Sequence, residues 1–188
     1  LPYGSQRSPT AQWTATAAGC CILGTQSEGP YITHATRGQI VDMGVTDMTN
    51  MGAAMAPAAF DTLRAVFRDT GTTPKDYDLI VTGDLGAVGS DILTELFRRE
   101  GTALDNYTDC GLLLYDRKKQ DMHAGGSGCG CSAAVLNGYL LEGMRQGRWR
   151  RLLFAPTGAL LSPTSSFQGE SIPGICHAVV FSRTKEDA

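Results

Sequence analysis

The 188 residues contain no uninterrupted apolar run near the roughly 18 residues that a membrane-spanning helix requires. They open on Leu1-Pro2-Tyr3-Gly4-Ser5, with neither the basic start nor the apolar stretch of a secretory signal. An initiator methionine is also lacking, which points to a missing upstream segment. Charge is scarce: 19% of residues are Asp, Glu, Lys or Arg, against about 25% in an average globular protein. The net charge of −3 and pI near 5.6 argue against nucleic-acid binding, which depends on a clustered basic field. The one basic cluster, Arg145 to Arg151, alternates with apolar residues and reads as a solvated rim.

Six cysteines are too few for a disulfide scaffold in a chain of this size. Cys20 and Cys21 are adjacent and would point to opposite faces of a strand. Cys129 and Cys131 bracket a single glycine, with no second pair at zinc-finger spacing. A reduced intracellular chain is the better reading. Catalytic signatures are missing as well. There is no Gly-Lys-Ser/Thr to complete a phosphate-binding loop, no Gly-x-Ser-x-Gly elbow and no known cysteine signature. Of the three histidines, His34 and His177 fall in expected strands, where a satisfied structural histidine is the default. The sequence offers no self-sufficient active site.

What is present is a core. At 42% hydrophobic, the chain is long enough to bury roughly 70% of its unfolded surface as one domain. The pattern predicts strands over Trp13 to Leu23 and Tyr31 to Val41, then a helix from about Met51 to Arg68 capped by Asp47 or Thr49. Pro57 suggests that the regular part of that helix begins near it. A strand at Tyr77 to Thr82, a helix at Ser90 to Arg99 and a strand at Leu112 to Tyr115 follow. A third helix covers Ser132 to Gln146, and Leu152 to Ala155 and Ile175 to Ser182 are the last strands. This order predicts an α/β domain of helices layered on one mixed sheet.

Ligands of open α/β sheets sit outside the carboxyl ends of the strands, and three segments qualify. Asp84, between Gly83 and Leu85-Gly86, either faces a pocket or merely caps the next helix or makes a local turn. The run His123 to Ser132 holds Gly125, Gly126, Ser127 and Gly128 ahead of a helix. Its glycines either let backbone N–H groups approach an anion or let a buried helix pack closely. Its match to a dinucleotide fingerprint is loose, with no strand directly before it. The third segment, Thr157 to Pro163 and Gln168 to Ser171, is long for a loop, and Glu170 there is a possible contact or a plain surface carboxylate.

Several long runs, Gln6 to Thr14, Gly29 to His34, Asn50 to Ala59, His123 to Ser132 and Gln168 to Ile175, resemble the stage V sporulation protein AD family of the thiolase-like superfamily. The resemblance covers essentially the whole chain. It implies a thiolase-like fold, of which residues 29–188 form the C-terminal half and residues 1–28 the last strand and connector of the other half. It places Asp84 where condensing enzymes of this fold carry an oxyanion-binding residue, and His123 near the second. A carboxylate there would repel an oxyanion, and the nucleophile half is absent, so no catalytic residue and no enzyme activity are expected. The family is linked to uptake of dipicolinic acid, with calcium, into the developing spore. The resemblance therefore implies a soluble dipicolinate binder with no cofactor of its own, calcium arriving as the dipicolinate complex. Asp84, His123, Gly125, Gly126, Ser127 and Gly128 are the expected ligand contacts. Membrane proteins of the same uptake system are expected partners, at the inner spore membrane of the forespore, with a homodimer at full length. An interaction scaffold and an acyl-CoA or acyl-carrier-protein acyltransferase are the competing readings.

Overall fold

A computed structural model describes residues 8–25, 28–185 and 187. Its centre is a five-stranded mixed sheet built from β2 (Tyr31–Thr36), β4 (Leu79–Thr82), β5 (Tyr107–Asp109), β7 (Arg151–Ala155) and β10 (Ala178–Ser182). The spatial order is β2-β10-β7-β4-β5, antiparallel for the first two pairings and parallel for the rest. Short strands β3 (Ile40–Val41), β8 (Thr157–Ala159) and β9 (Gly174–Cys176) make a second, antiparallel sheet. A two-residue parallel pair joins β1 (Trp13–Thr14) to β6 (Gly126–Ser127).

The inner strands β4, β7 and β10 are buried on both faces, and strand alternation divides their side chains between two cores. Ile80, Leu153 and Val180 pack against α1 (Met51–Thr70) and α2 (Gly86–Arg99), through Leu63, Val66, Leu93 and Phe97. Val81, Leu152, Phe154 and Phe181 face the other way, onto Cys131, Val135, Leu140 and Met144. Those residues belong to helix 131–145, which runs as α4 (Cys131–Val135), a π-helical turn Leu136–Leu140 and α5 (Leu141–Arg145). The expected class, a mixed sheet flanked by helices, is therefore the observed one.

Helix α1 begins at Asn50, whose side-chain oxygen accepts from the Ala53 amide at 3.3 Å, and not at Asp47 or Thr49. Asp47 instead accepts from Thr49 in a local turn. The helix continues unbroken through Pro57, because packing of Ala54, Met55, Ala58 and Ala59 outweighs the one lost backbone bond. Close approach of α1 to α2 requires Gly52, where a Cβ would stand 2.8 Å from the Gly89 nitrogen. Asn50→Ala is expected to cost about 1 kcal/mol of stability, the usual value of a cap, read as a lower urea midpoint.

Other boundaries differ from the pattern for local reasons. The strand expected over Trp13 to Leu23 pairs only at Trp13–Thr14; beyond it the chain lies along helix 131–145, with Ala17 against Gly130 and Gly19 against Ala133. Tyr31 to Val41 divides at Gly38, whose amide donates to His177 Nδ1 as the chain passes from one sheet to the other. Ile175 to Ser182 divides at His177 for the same reason. Leu112 to Tyr115 is not a strand: Asp109 caps a short helix, α3 (Cys110–Leu114), by accepting from the Gly111 amide. The strand is β5, just before it. The long loop after β7 contains β8 and α6 (Pro163–Phe167), capped by Ser162. Helix α2 starts four residues earlier than the pattern suggests, at Gly86. No helix among the described residues is long and apolar enough to cross a membrane.

Candidate functional site

Strand β4 ends at Thr82, and the turn that follows puts Asp84 beside the glycine loop. Asp84 Oδ2 accepts from Ser127 Oγ at 2.8 Å and from the Gly128 amide at 3.1 Å. Thr157 Oγ1 lies 3.5 Å from Oδ1. The position that caps α2 is Leu85, with no side-chain cap, so Asp84 is not the helix cap that local pattern allowed. Gln12 closes the arrangement: its Nε2 donates to the backbone oxygens of Asp84 (2.9 Å) and Gly126 (3.0 Å).

The glycine loop is largely committed inside the fold. Gly125 and Gly126 are buried. The Gly125 amide donates to the Met122 carbonyl, the Gly128 amide to Asp84, and the Gly125 and Ser127 carbonyls accept from Trp13 and Ala15. Gly125 and Gly128 adopt φ of 99° and 106°, where a side chain is strained. His123 is half-buried. Its Nδ1 lies 2.8 Å from the Ser8 carbonyl and its Nε2 3.1 Å from Asp121 Oδ1, while its own carbonyl accepts from Arg117 Nε.

A cleft of about 400 Å³ opens between residues 8–14, the start of α1 and residues 121–127. Of the expected contacts, His123 and Ser127 line it. Asp84, Gly125, Gly126 and Gly128 stand behind this lining, Asp84 reaching it through Ser127 Oγ. Glu170 is exposed and lies outside it. Sequence reasoning did not assign Gln12, Trp13, Met48, Met51 and Met122 to the cleft, although all of them line it. Four of the five fall in or beside runs that carried the family resemblance, and that was the available signal.

Beneath the turn lies a carboxylate that the sequence did not single out. Asp109 is fully buried, with Oδ2 accepting from Thr82 Oγ1 (2.7 Å) and the Leu85 amide (3.0 Å). Its Oδ1 accepts from the amides of Gly86 (3.1 Å) and Gly111 (2.9 Å). Burial pushes its carboxyl above the ordinary range, the donors pull the other way, and the nearby Asp84 adds to the rise. The Tyr107 hydroxyl sits between Thr82 Oγ1 and Ser90 Oγ, and burial pushes that phenol up as well. This network holds the turn that carries Asp84.

Reactive thiols are not found in the interior. Burial pushes Cys131 and Cys176 up to about 12, and Cys110 higher still, so none of the three is poised as a thiolate. Among the described residues, no group of three or more His, Cys, Asp or Glu side chains is placed to hold a metal ion.

The chain is similar to several known proteins. A family model described as stage V sporulation protein AD matches residues 1–182. The stage V sporulation protein AD of Bacillus subtilis (strain 168) is 45% identical over 182 residues, covering 96% of this chain and 54% of that protein. The chain therefore spans about half the length of that curated relative. Among solved structures, the 3-oxoacyl-[acyl-carrier-protein] synthase III of Aquifex aeolicus VF5 is 12% identical with a TM-score of 0.45, over 84% of this chain and 46% of that one. Human mitochondrial 3-ketoacyl-CoA thiolase in complex with CoA is 14% identical with a TM-score of 0.42, over 80% and 30%. With its whole described core inside the matched span, the chain belongs to the stage V sporulation protein AD family.

Proposed function

We propose that this chain serves in sporulation as part of a soluble dipicolinate-binding protein of the spore's uptake system, and that the ligand enters with calcium. The observation that carries the reading is the lining of the cleft. Trp13 with Met48, Met51 and Met122 offers flat, polarisable walls suited to an aromatic ring, and Gln12, Thr14 and Ser127 supply polar edges. The cleft's size falls in the usual range for a small-molecule site. Among the described residues no Lys or Arg lines it, and Asp121 and His123 pair with each other. A bare dianion is poorly matched to such walls, whereas its one-to-one calcium complex carries no net charge. Calcium belongs here as cargo, held by the ligand's own oxygens.

Transport-competent binding, docking on membrane proteins at the inner spore membrane and dimer formation are proposed for the full-length protein. Exposed apolar side chains, Ile22 at 98% and Phe167 at 86%, favour the scaffold as a second reading. An acyltransferase ranks third. Asp84 accepts hydrogen bonds where an oxyanion would need a donor, and the buried thiols are held protonated.

Calorimetric titration of dipicolinic acid, with and without calcium, into this chain and into the full-length Bacillus subtilis relative tests the reading. Binding is expected to be tighter with calcium. His123→Ala and Asp84→Ala are each expected to weaken it at least about tenfold, the first by opening the wall and the second by releasing Ser127. Absence of heat from both proteins, or unchanged affinity in both variants, would overturn it.

A further inference from the structure

A dicarboxylate in this cleft leaves outer carboxylate oxygens that calcium does not use, and the described lining residues include no Lys or Arg for them. One cation is tethered to that lining from outside. Arg117 Nε donates to the His123 carbonyl at 2.8 Å, which fixes the guanidinium at the residue that forms the cleft wall. Beyond that bond its two Nη groups make no hydrogen bond or ion pair with the described residues, so four N–H donors stay unused.

The loop around it is a built turn. Asp116 Oδ1 accepts from the amides of Lys118 and Lys119, its carbonyl accepts from the Gln120 amide, and its own amide donates to Gln120 Oε1. Asp116 Oδ2 also draws the Lys119 ammonium, at 3.8 Å, so that charge is partly neutralised within the loop. Asp121 ends the turn at a φ of 52°, a costly conformation for a residue other than glycine. Its carboxylate is taken by His123 Nε2. Among the described residues Arg117 is thus a cation anchored to the wall with its Nη groups left for a new acceptor. An arginine fork matches a carboxylate in a way that a lysine does not.

Resting on the dipicolinate reading, we propose that Arg117 is a specificity-determining residue of the cleft, receiving one carboxylate of a planar dicarboxylate. It distinguishes such a ligand from a monocarboxylate with the same ring. The lysines at 118 and 119 contribute only a diffuse positive field, screened over about 10 Å at 0.1 M salt.

The test is titration of pyridine-2,6-dicarboxylate and pyridine-2-carboxylate into this chain, at one calcium concentration, for the wild type and three variants. Arg117→Ala is expected to weaken the dicarboxylate about tenfold and to leave the monocarboxylate nearly unchanged. Arg117→Lys should recover part of the loss, and the double variant K118A/K119A should keep the preference intact at 0.1 M salt. Thermal melting confirms that each variant is folded. Wild-type preference retained in a folded Arg117→Ala protein overturns this proposal and leaves the dipicolinate reading standing. A wild type that binds neither acid removes both.

Discussion

Asp109→Asn is expected to lower the stability of the fold by about 3 kcal/mol, because it sets a donor against donors in a site closed to water. The carboxylate accepts two bonds on each oxygen, and three of the four come from backbone amides. An asparagine keeps the shape, but whichever way its amide sits, an NH₂ group confronts either Leu85 N–H and Thr82 Oγ or the N–H groups of Gly86 and Gly111. The Thr82 hydroxyl can rotate; a backbone amide cannot. The loss is read as a fall in the urea midpoint with an unchanged slope. Ligand affinity should fall with stability, because the turn that carries Asp84 loses its support.

Gly111→Ala should be nearly as damaging, at about 2 to 3 kcal/mol, for a steric reason. A Cβ at this position would overlap the Gly126 carbonyl oxygen and stand 3.0 Å from Asp109 Oδ1. Neither neighbour is the free end of a flexible side chain. Relief requires α3 to move from β6, which separates the Asp109 network from the wall formed by Ser127. Gly138→Ala is the natural control, since a Cβ there meets nothing within 4 Å. In helix 131–145 the added methyl group should leave stability unchanged or raise it by a few tenths of a kcal/mol, up to about 1 kcal/mol. Equal midpoints for the two variants would refute the steric account. Calorimetry on Gly111→Ala should also show weaker dipicolinate binding.

The alternation of strands and helices, and with it the layered class, was legible because it rests on long periodic segments. Helix α1 could be read from Ala58, Leu63 and Val66, and helix 131–145 from Val135, Leu140 and Met144. Short elements were not legible. Tyr107-Thr108-Asp109 has three residues and a buried carboxylate, so no hydrophobic pattern marks it as a strand, and the Asp109 network went unseen with it. The apolar run after it looked like a strand because Leu112, Leu113 and Leu114 carry no period, and only the cap at Asp109 makes it helical. At the site, Asp84 and Ser127 could be named from the glycines around them, and the structure joins them directly. Trp13 and Met51 could not be assigned to the same cleft, since what unites them is tertiary placement far from any local motif.

The parallel pairing of β1 with β6 has a consequence for the order in which the molecule assembles. Gln12 reaches a carbonyl 114 positions away, and Trp13 and Ala15 bond to the same distant loop. Contacts of such separation close late, because the entropy of a long loop must be lost before they form. During synthesis at about 5–20 residues per second, the first wall of the cleft waits several seconds for its counterpart to be made. For that interval Trp13 and the exposed Ile22 and Leu23 are bare apolar groups on an unfinished chain. The cleft is therefore a late product of folding, and while it waits the stretch that begins it is open to capture by a chaperone or to aggregation.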